Sequence, residues 1–364
     1  MVAILFWLSL GLLVYTHLGY PLLLALLPKR RDVPPVEVCH PSLSVTLVVA
    51  AYNEGSVIER KIENVRSQDL PGVQVIVASD GSTDDTVARA AAADLVLDLP
   101  RGGKIRAQDA AVERATGEIV AFSDANSFWE PDALRRLVAA FADPKVGYVC
   151  GQVRFTNEQG DNQEGLYWRY EMWIRAAESR LAGVTGGNGA IYAVRREAYI
   201  HVDPRMGHDL SFPFNMVKRG WRAVYAPGAR AEEKMVPTIG GEFRRKRRMQ
   251  SHMWPIVLQG GLANPRGYPP VYALEIFSHR ILRYLTPLLH VVAFVTNALL
   301  LGEGVVYTLT FAAQCALLAA ALINAGPLRI ARYYVATTAA IAAGLFDWLR
   351  TGTPPGWEQA EGTR

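Results

Sequence analysis

LSVTLVVAAYNEG at residues 43–55, VQVIVASDGSTDD at 73–85 and EIVAFSDAN at 118–126 share one pattern. Each is a short apolar run, rich in β-branched residues, that stops abruptly at Asp, Asn, Glu, Ser or Gly. Runs of this length and composition read as strands buried on both faces. Between them the spacing turns helical, over 55–68, over 84–93 with Asp84 as N-cap, and over 104–116. A short strand at 95–99 and a helix at 131–141, with Pro131 in its first turn, complete the rhythm. Strand and helix alternate, which predicts an α/β fold with a mainly parallel sheet and helices on both faces.

In open sheets of this kind ligands bind beyond the carboxyl ends of the strands. Tyr52, Asn53 and Glu54 follow the first strand, Asp80 to Asp85 the second, and Asp124 and Asn126 the fourth. Any one of these clusters is explained by turn chemistry, which Asp, Asn, Ser and Gly dominate. Three at one sheet edge make a better case for a site. An acidic rim with few cations suits a divalent ion and a polar ligand, because Mg²⁺ takes one or two carboxylates plus substrate phosphate oxygens. Asp124-x-Asn126 places two oxygen-bearing side chains on one side of an extended segment. Asp80 can accept a hydrogen bond from a base or a sugar. Lys104, behind Arg101-Gly102-Gly103, either reaches a phosphate or is an ordinary exposed lysine.

The chain has 364 residues, 50% of them apolar and only 20% charged. That is too apolar for disorder and for an ordinary soluble domain, and a net charge of +4 is too small to point to nucleic acid. Cys39, Cys150 and Cys315 lie far apart, which argues against a disulfide framework or a zinc site. The apolar excess sits at the ends. Residues 1–28 carry no charged side chain and are followed by Lys29-Arg30-Arg31. This reads as a transmembrane helix with a basic cytoplasmic flank rather than a signal peptide. Residues 285–349 divide into apolar stretches at 286–301, 305–325 and 333–349, giving two to three further spans. Residues 251–284, basic and amphipathic at 278–284, read as interfacial helices, and 350–364 as a tail. The expectation is a multi-pass protein of the plasma (cell) membrane with an α/β domain, residues 40–250, in the cytoplasm.

The middle of the chain resembles a known family. VTLVVAAYNEGSVIERKIENV (45–65), VIVASDGSTDDT (75–86), GEIVAFSDAN with PDAL (117–126 and 131–134), TGGNGAIYAVRREAY (185–199), HDLSFPFNMVKRGWRAVYAPGA (208–229) and FRRKRRMQ (243–250) are similar, in order and spacing, to the family 2 glycosyltransferases with the GT-A fold, in the membrane-bound branch that resembles polysaccharide synthases. The resemblance implies a Rossmann-like domain flanked by membrane helices. It implies that Tyr52, Glu54 and Asp80 hold the nucleoside of a sugar nucleotide, and that Asp124 and Asn126 place a metal on its diphosphate. Asp209 matches the catalytic base of inverting members, and Gly187, Asn188 and Gly189 match the sugar and acceptor pocket. Arg245 and Arg248, three apart and so on one helical face, match the Q/R-x-x-R-W element and would meet the diphosphate with Lys104. The sequence departs from the pattern at Asn126, which carries no charge, at Asp109, where many relatives have Asn, and at Met249, which replaces the tryptophan.

The function these features imply is a membrane-bound inverting glycosyltransferase. It would use a nucleotide-sugar, a UDP-sugar first among them, a lipid-linked or glycan acceptor, and Mg²⁺ or Mn²⁺. Two other functions share a nucleotide site. A sugar-phosphate nucleotidyltransferase would want a Gly-rich basic loop after the first strand, which is missing. A non-catalytic membrane nucleotide sensor would not need Asp80, Asp124 and Asp209 together.

Overall fold

A computed structural model describes residues 1–27, 43–156, 165–234, 239–323, 325–326 and 328–353. The basic cluster at 29–31, Cys39 and residues 354–364 of the tail lie outside the described residues. Eight strands form one sheet: β1 (Val45–Ala51), β2 (Gln74–Asp80), β3 (Leu95–Leu99), β4 (Ile119–Asp124), β5 (Phe128–Trp129), β6 (Val146–Thr156), β7 (Ile191–Arg195) and β8 (Arg222–Lys234). Their order is β3-β2-β1-β4-β7-β6-β8-β5. The half built from the sequence runs at 43–126 is parallel, as expected: β1 pairs with β2 and β4, and β2 with β3.

The second half corrects the mainly parallel expectation. β7 runs antiparallel to both β4 and β6, and β5 antiparallel to β8, so the sheet is mixed. Only β6 and β8 restore a parallel pair.

All seven residues of β1 are buried, and their alternation divides the core. Leu47 and Val49 pack with Ile58, Ile62 and Val65 of α2 (Ile58–Arg66) and with Leu134 and Leu137 of a later helix. Val48 packs on the other face with Ala107 and Ala111. A strand covered on both sides must be apolar at every position, which is why these runs were legible. The helix read over 84–93 is shorter than its alanines suggest. α3 spans Thr86–Arg89 with Asp85, not Asp84, at its N-cap; Asp84 lies one residue earlier, its carboxylate accepting the Thr86 N–H at 3.0 Å. α4 (Lys104–Glu113) and α5 (Ala133–Ala139) follow the expected order. The later helices are α6 (Leu166–Leu181), α7 (His208–Lys218) and α8 (Ile239–Leu258).

Four long helices carry the apolar ends. α1 covers Val2–Leu26 and α9 covers Pro270–Leu299, and these two are long and apolar enough to cross a membrane. α10 (Val305–Ala321) is shorter, and α11 (Leu328–Thr351) includes the third stretch. α1 lies along α9, and α11 lies along α8. The α8–α11 contact is specific: Arg247 pairs with Asp347, and the Trp254 indole N–H donates to the Ile341 carbonyl at 3.1 Å. Residues 278–284, read as an interfacial surface, belong to α9 and turn inward. Ser278 and His279 are buried, and Arg283 pairs with Glu171 of α6.

Candidate active site

Asp80 closes β2 and Asp124 closes β4, with β1 between them. The register sets Ala51 beside Ser79 and Ala50 beside Asp124, so Tyr52, Asp80 and Asp124 share one sheet edge. Asn53 ties the two turns together. Its N–H donates to Ser82 Oγ at 3.1 Å and its side-chain oxygen accepts the Thr83 N–H at 2.8 Å. Glu54 is fully buried, and its N–H donates to Thr86 Oγ1 at 2.7 Å. Gly81 has φ +68 and no space for a side chain, since a Cβ would lie 2.8 Å from the Arg101 nitrogen.

That closeness has a purpose in the fold. The Asp80 carboxylate, 2% exposed, accepts the N–H groups of Gly102 at 2.6 Å and Gly103 at 2.9 Å, and pairs with Arg101. It therefore shapes the 101–103 loop that launches α4. The Arg101 guanidinium lies 3.4 Å above the Tyr52 ring. Lys104, the first residue of α4, is directed inward: its ammonium pairs with Asp124 and donates to the Gly189 carbonyl at 3.3 Å. The exposed-lysine alternative is thereby corrected.

Residues 185–191 form the loop that joins the two sides of the site. Asn188 braces it, donating to the Gly151 carbonyl at 2.6 Å and accepting the Ile191 N–H at 2.9 Å. The Gly187 N–H donates to the Asp209 carbonyl at 2.7 Å. Gly187 must be glycine, because a Cβ there would collide with the buried Tyr148 hydroxyl. Asp209 is the second residue of α7, whose N-cap is Gly207. Its carboxylate does not cap the helix. Burial raises the Asp209 pKa above the ordinary carboxylate range, against the opposing fields of Lys104 and Arg280. A partly buried carboxylate with a raised pKa, close to cations, suits proton acceptance. Beneath it His208 is buried, with Nδ1 2.8 Å from the Tyr192 hydroxyl and its ring stacked on Phe212 at 3.9 Å.

Asp124 and Asn126 flank the buried Ala125, and both are partly exposed. No group of three His, Cys, Asp or Glu side chains suited to a metal occurs among the described residues. One carboxylate and one amide oxygen do not make a self-sufficient cage. They do fit a Mg²⁺ or Mn²⁺ ion that draws its remaining ligands from a substrate diphosphate. Arg248 is partly buried on α8, and the Arg245 side chain lies outside the described residues. Asp109, the departure on α4, accepts from the Tyr199 hydroxyl at 2.7 Å. Met249 is exposed, and Trp254 packs on Tyr284 with ring centroids 5.6 Å apart.

Three cations near the site escaped the sequence reading. Lys61 is fully buried beneath the Asp124 turn and donates to the Ser127 carbonyl at 2.5 Å. Arg175 of α6 donates to the Gly187 carbonyl at 3.1 Å, and Arg280 of α9 donates to Thr185 Oγ1 at 3.0 Å. Lys61 had a signal, since it shares the apolar stripe of Ile58, Ile62 and Val65. Arg280 had one too: an arginine inside a long apolar helix is costly and marks function.

Comparison with known proteins agrees with this geometry. The glycosyl transferase family 2 model matches residues 46–203. An N-acetylglucosaminyltransferase of Mesorhizobium japonicum is 28% identical over 245 residues, covering 60% of this chain and 57% of that one. A poly-beta-1,6-N-acetyl-D-glucosamine synthase of Staphylococcus aureus is 25% identical over 222 residues, covering 56% and 52%. The chain thus spans about half the length of these curated relatives. A mannosyltransferase from Pyrobaculum calidifontis, solved with GDP-mannose and Mn²⁺, superposes with a TM-score of 0.74 at 24% identity over 96% of this chain and 98% of that one. Residues 46–203, which carry the strand-end carboxylates in register, match the glycosyl transferase family 2 model, and the fold is shared with the Pyrobaculum enzyme.

Proposed function

We propose that the chain transfers a sugar, with inversion at the anomeric carbon, to a hydroxyl of a lipid-linked or glycan acceptor at a membrane surface. One observation carries the reading. The 185–191 loop links Asp124, through Lys104 and the Gly189 carbonyl, to Asp209, through the Gly187 N–H. A diphosphate at the first position and an acceptor hydroxyl at the second would then meet across one short loop.

The chemistry follows from the residues. Tyr52, Glu54 and Asp80 hold the nucleoside, and Arg248, with Arg245 one turn before it, meets the diphosphate. Asp209 takes the proton of the acceptor hydroxyl as its oxygen bonds to the anomeric carbon. The bond from that carbon to the diphosphate breaks on the opposite side, which inverts the configuration. Lys104 places positive charge where the leaving group becomes more negative. A divalent ion held by Asp124 and Asn126 would supply further neutralisation of the diphosphate.

The membrane part rests on exposure. A core helix of a soluble protein buries its apolar residues, whereas α1 and α9 leave Ile4, Leu8, Leu22, Val291 and Leu299 exposed at 70%, 57%, 61%, 60% and 68%. Such faces suit lipid. With Lys29–Arg31 on the cytoplasmic side, the nucleotide site faces the nucleotide-sugar pool, and α9 delivers the acceptor side to the membrane.

Asp209→Asn tests the assignment. It keeps the shape and removes the proton acceptor. The variant should bind nucleotide as the wild type does and lose about 10²–10⁴-fold in transfer rate, measured with UDP- and GDP-sugars on the full chain in nanodiscs. A rate within tenfold of wild type would assign Asp209 a structural role.

A further inference from the structure

The acceptor side holds two guanidiniums, Arg175 and Arg280, for which no carboxylate ion pair is found among the described residues. They come from different helices and meet the same short segment. Arg175 donates to the Gly187 carbonyl at 3.1 Å, and Arg280 donates to Thr185 Oγ1 at 3.0 Å. A side chain on Gly186, between them, would displace the Arg280 guanidinium. Their fields overlap: both act on the buried Cys150 thiol, and Arg280 also acts on Asp209. Both side chains are partly buried.

The neighbouring charges of the same helix interface are matched. Arg283 pairs with Glu171, and His279 lies 2.7 Å from Glu178. Glu178 also accepts from the Tyr20 hydroxyl at 2.7 Å and from Thr185 Oγ1 at 3.0 Å. It feels Arg280 as well, so one role for Arg280 is to balance this acid at a distance. That role does not account for Arg175, nor for two guanidiniums brought to one glycine pair. Partly desolvated guanidiniums are costly until an anion meets them, and their planar forks match phosphate oxygens.

We propose that Arg280 and Arg175 form a binding site for a phosphoryl group of the acceptor, next to the hydroxyl that Asp209 deprotonates. Two positive charges fit a dianion. The position of Arg280 favours a lipid source: it lies on α9, the helix that exposes Leu288, Val291 and Val295 beyond it. An acceptor anchored along that face would bring its headgroup to Arg280 first. The inference rests on the glycosyl-transfer reading above.

The test uses the full chain in phosphatidylcholine nanodiscs and reads binding rather than turnover. The probes are a long-chain alkyl monophosphate, the matching alcohol, inorganic phosphate in solution, and UDP or GDP as a separate control. The monophosphate should bind about tenfold or more tightly than the alcohol. Arg280→Gln and Arg175→Gln should each remove about tenfold of that affinity, the loss of a charge-assisted hydrogen bond, while nucleotide affinity stays unchanged. Arg280-dependent binding of inorganic phosphate with no gain from the alkyl chain would keep the anion site and assign it to soluble phosphate esters. Equal binding of monophosphate and alcohol, or unchanged binding in both variants, overturns the proposal. So does an Arg280→Gln variant that loses nucleotide and lipid together, since Arg280 would then serve only to balance Glu178. Failure of nucleotide to bind the wild type would instead overturn the glycosyl-transfer reading.

Discussion

Single residues in this site do more than one job, and Lys61 shows the cost. It is fully buried, and desolvation lowers its pKa to about 7, with Asp124 and Glu233 partly restoring the charged form. An unfolded lysine titrates near ~10.4. Between those values the unfolded chain binds more protons than the folded one, so the folded state gains stability as pH rises from about 7 to 10. Below pH 7 the cost of burying the ammonium is fully present. Lys61→Met keeps the aliphatic stem and removes the titration. The melting temperature of the wild type should therefore rise relative to that of Lys61→Met between pH 7 and 10. A constant difference would mean that Lys61 is not depressed. Asp80 is a second instance. The family resemblance implies that Asp80 holds the nucleoside, and its carboxylate also accepts the N–H groups of Gly102 and Gly103. A strand-end aspartate cannot announce from sequence which loop will fold back on it.

Among the elements, what was legible depended on whether burial left a local trace. β1, β2 and β4 are covered on both faces, so each is a continuous apolar run, and their ends bring Asp80 and Asp124 to one sheet edge on either side of β1. β6 and β8 carry Gly, Pro, Arg and Glu along their length, and their pairing is interrupted by irregularities. Nothing in either segment announces that β7 will insert antiparallel between β4 and β6, because that pairing is set by tertiary contacts. The 185–191 loop is placed by those same strands, so its bridging role was visible only as a motif. Its tight fit gives a prediction. Gly187→Ala drives a Cβ into the Tyr148 hydroxyl, and overpacking of this kind costs about 1–3 kcal/mol. The variant should melt earlier and lose transfer, and adding Tyr148→Phe should recover much of both. Gly189→Ala, whose Cβ would lie 3.3 Å from the flexible Lys104 ammonium, should be milder. Equal damage from both substitutions, with no rescue, would remove the steric account of the loop.

At the scale of the whole molecule, the α/β domain and the apolar helices form one body through a buried polar junction. Tyr20 of α1, Glu171 and Glu178 of α6, and His279 and Arg283 of α9 meet there, and Thr185 carries the junction into the site loop. Burial opposes ionisation of Glu178, yet its contacts with His279 and Arg280 hold its carboxyl below the usual carboxylate range. On the proposed function, these helices position the acceptor side of the site as well as anchor it. The most direct measurement of the central claim is the stereochemistry and leaving group of the reaction. The full chain in nanodiscs, supplied with α-linked UDP- and GDP-sugars and a lipid or glycan acceptor, should release the nucleoside diphosphate and form a β-linked product by nuclear magnetic resonance. An α-linked product would contradict the account of Asp209 as the base, and release of nucleoside monophosphate with a sugar phosphate would contradict glycosyl transfer itself.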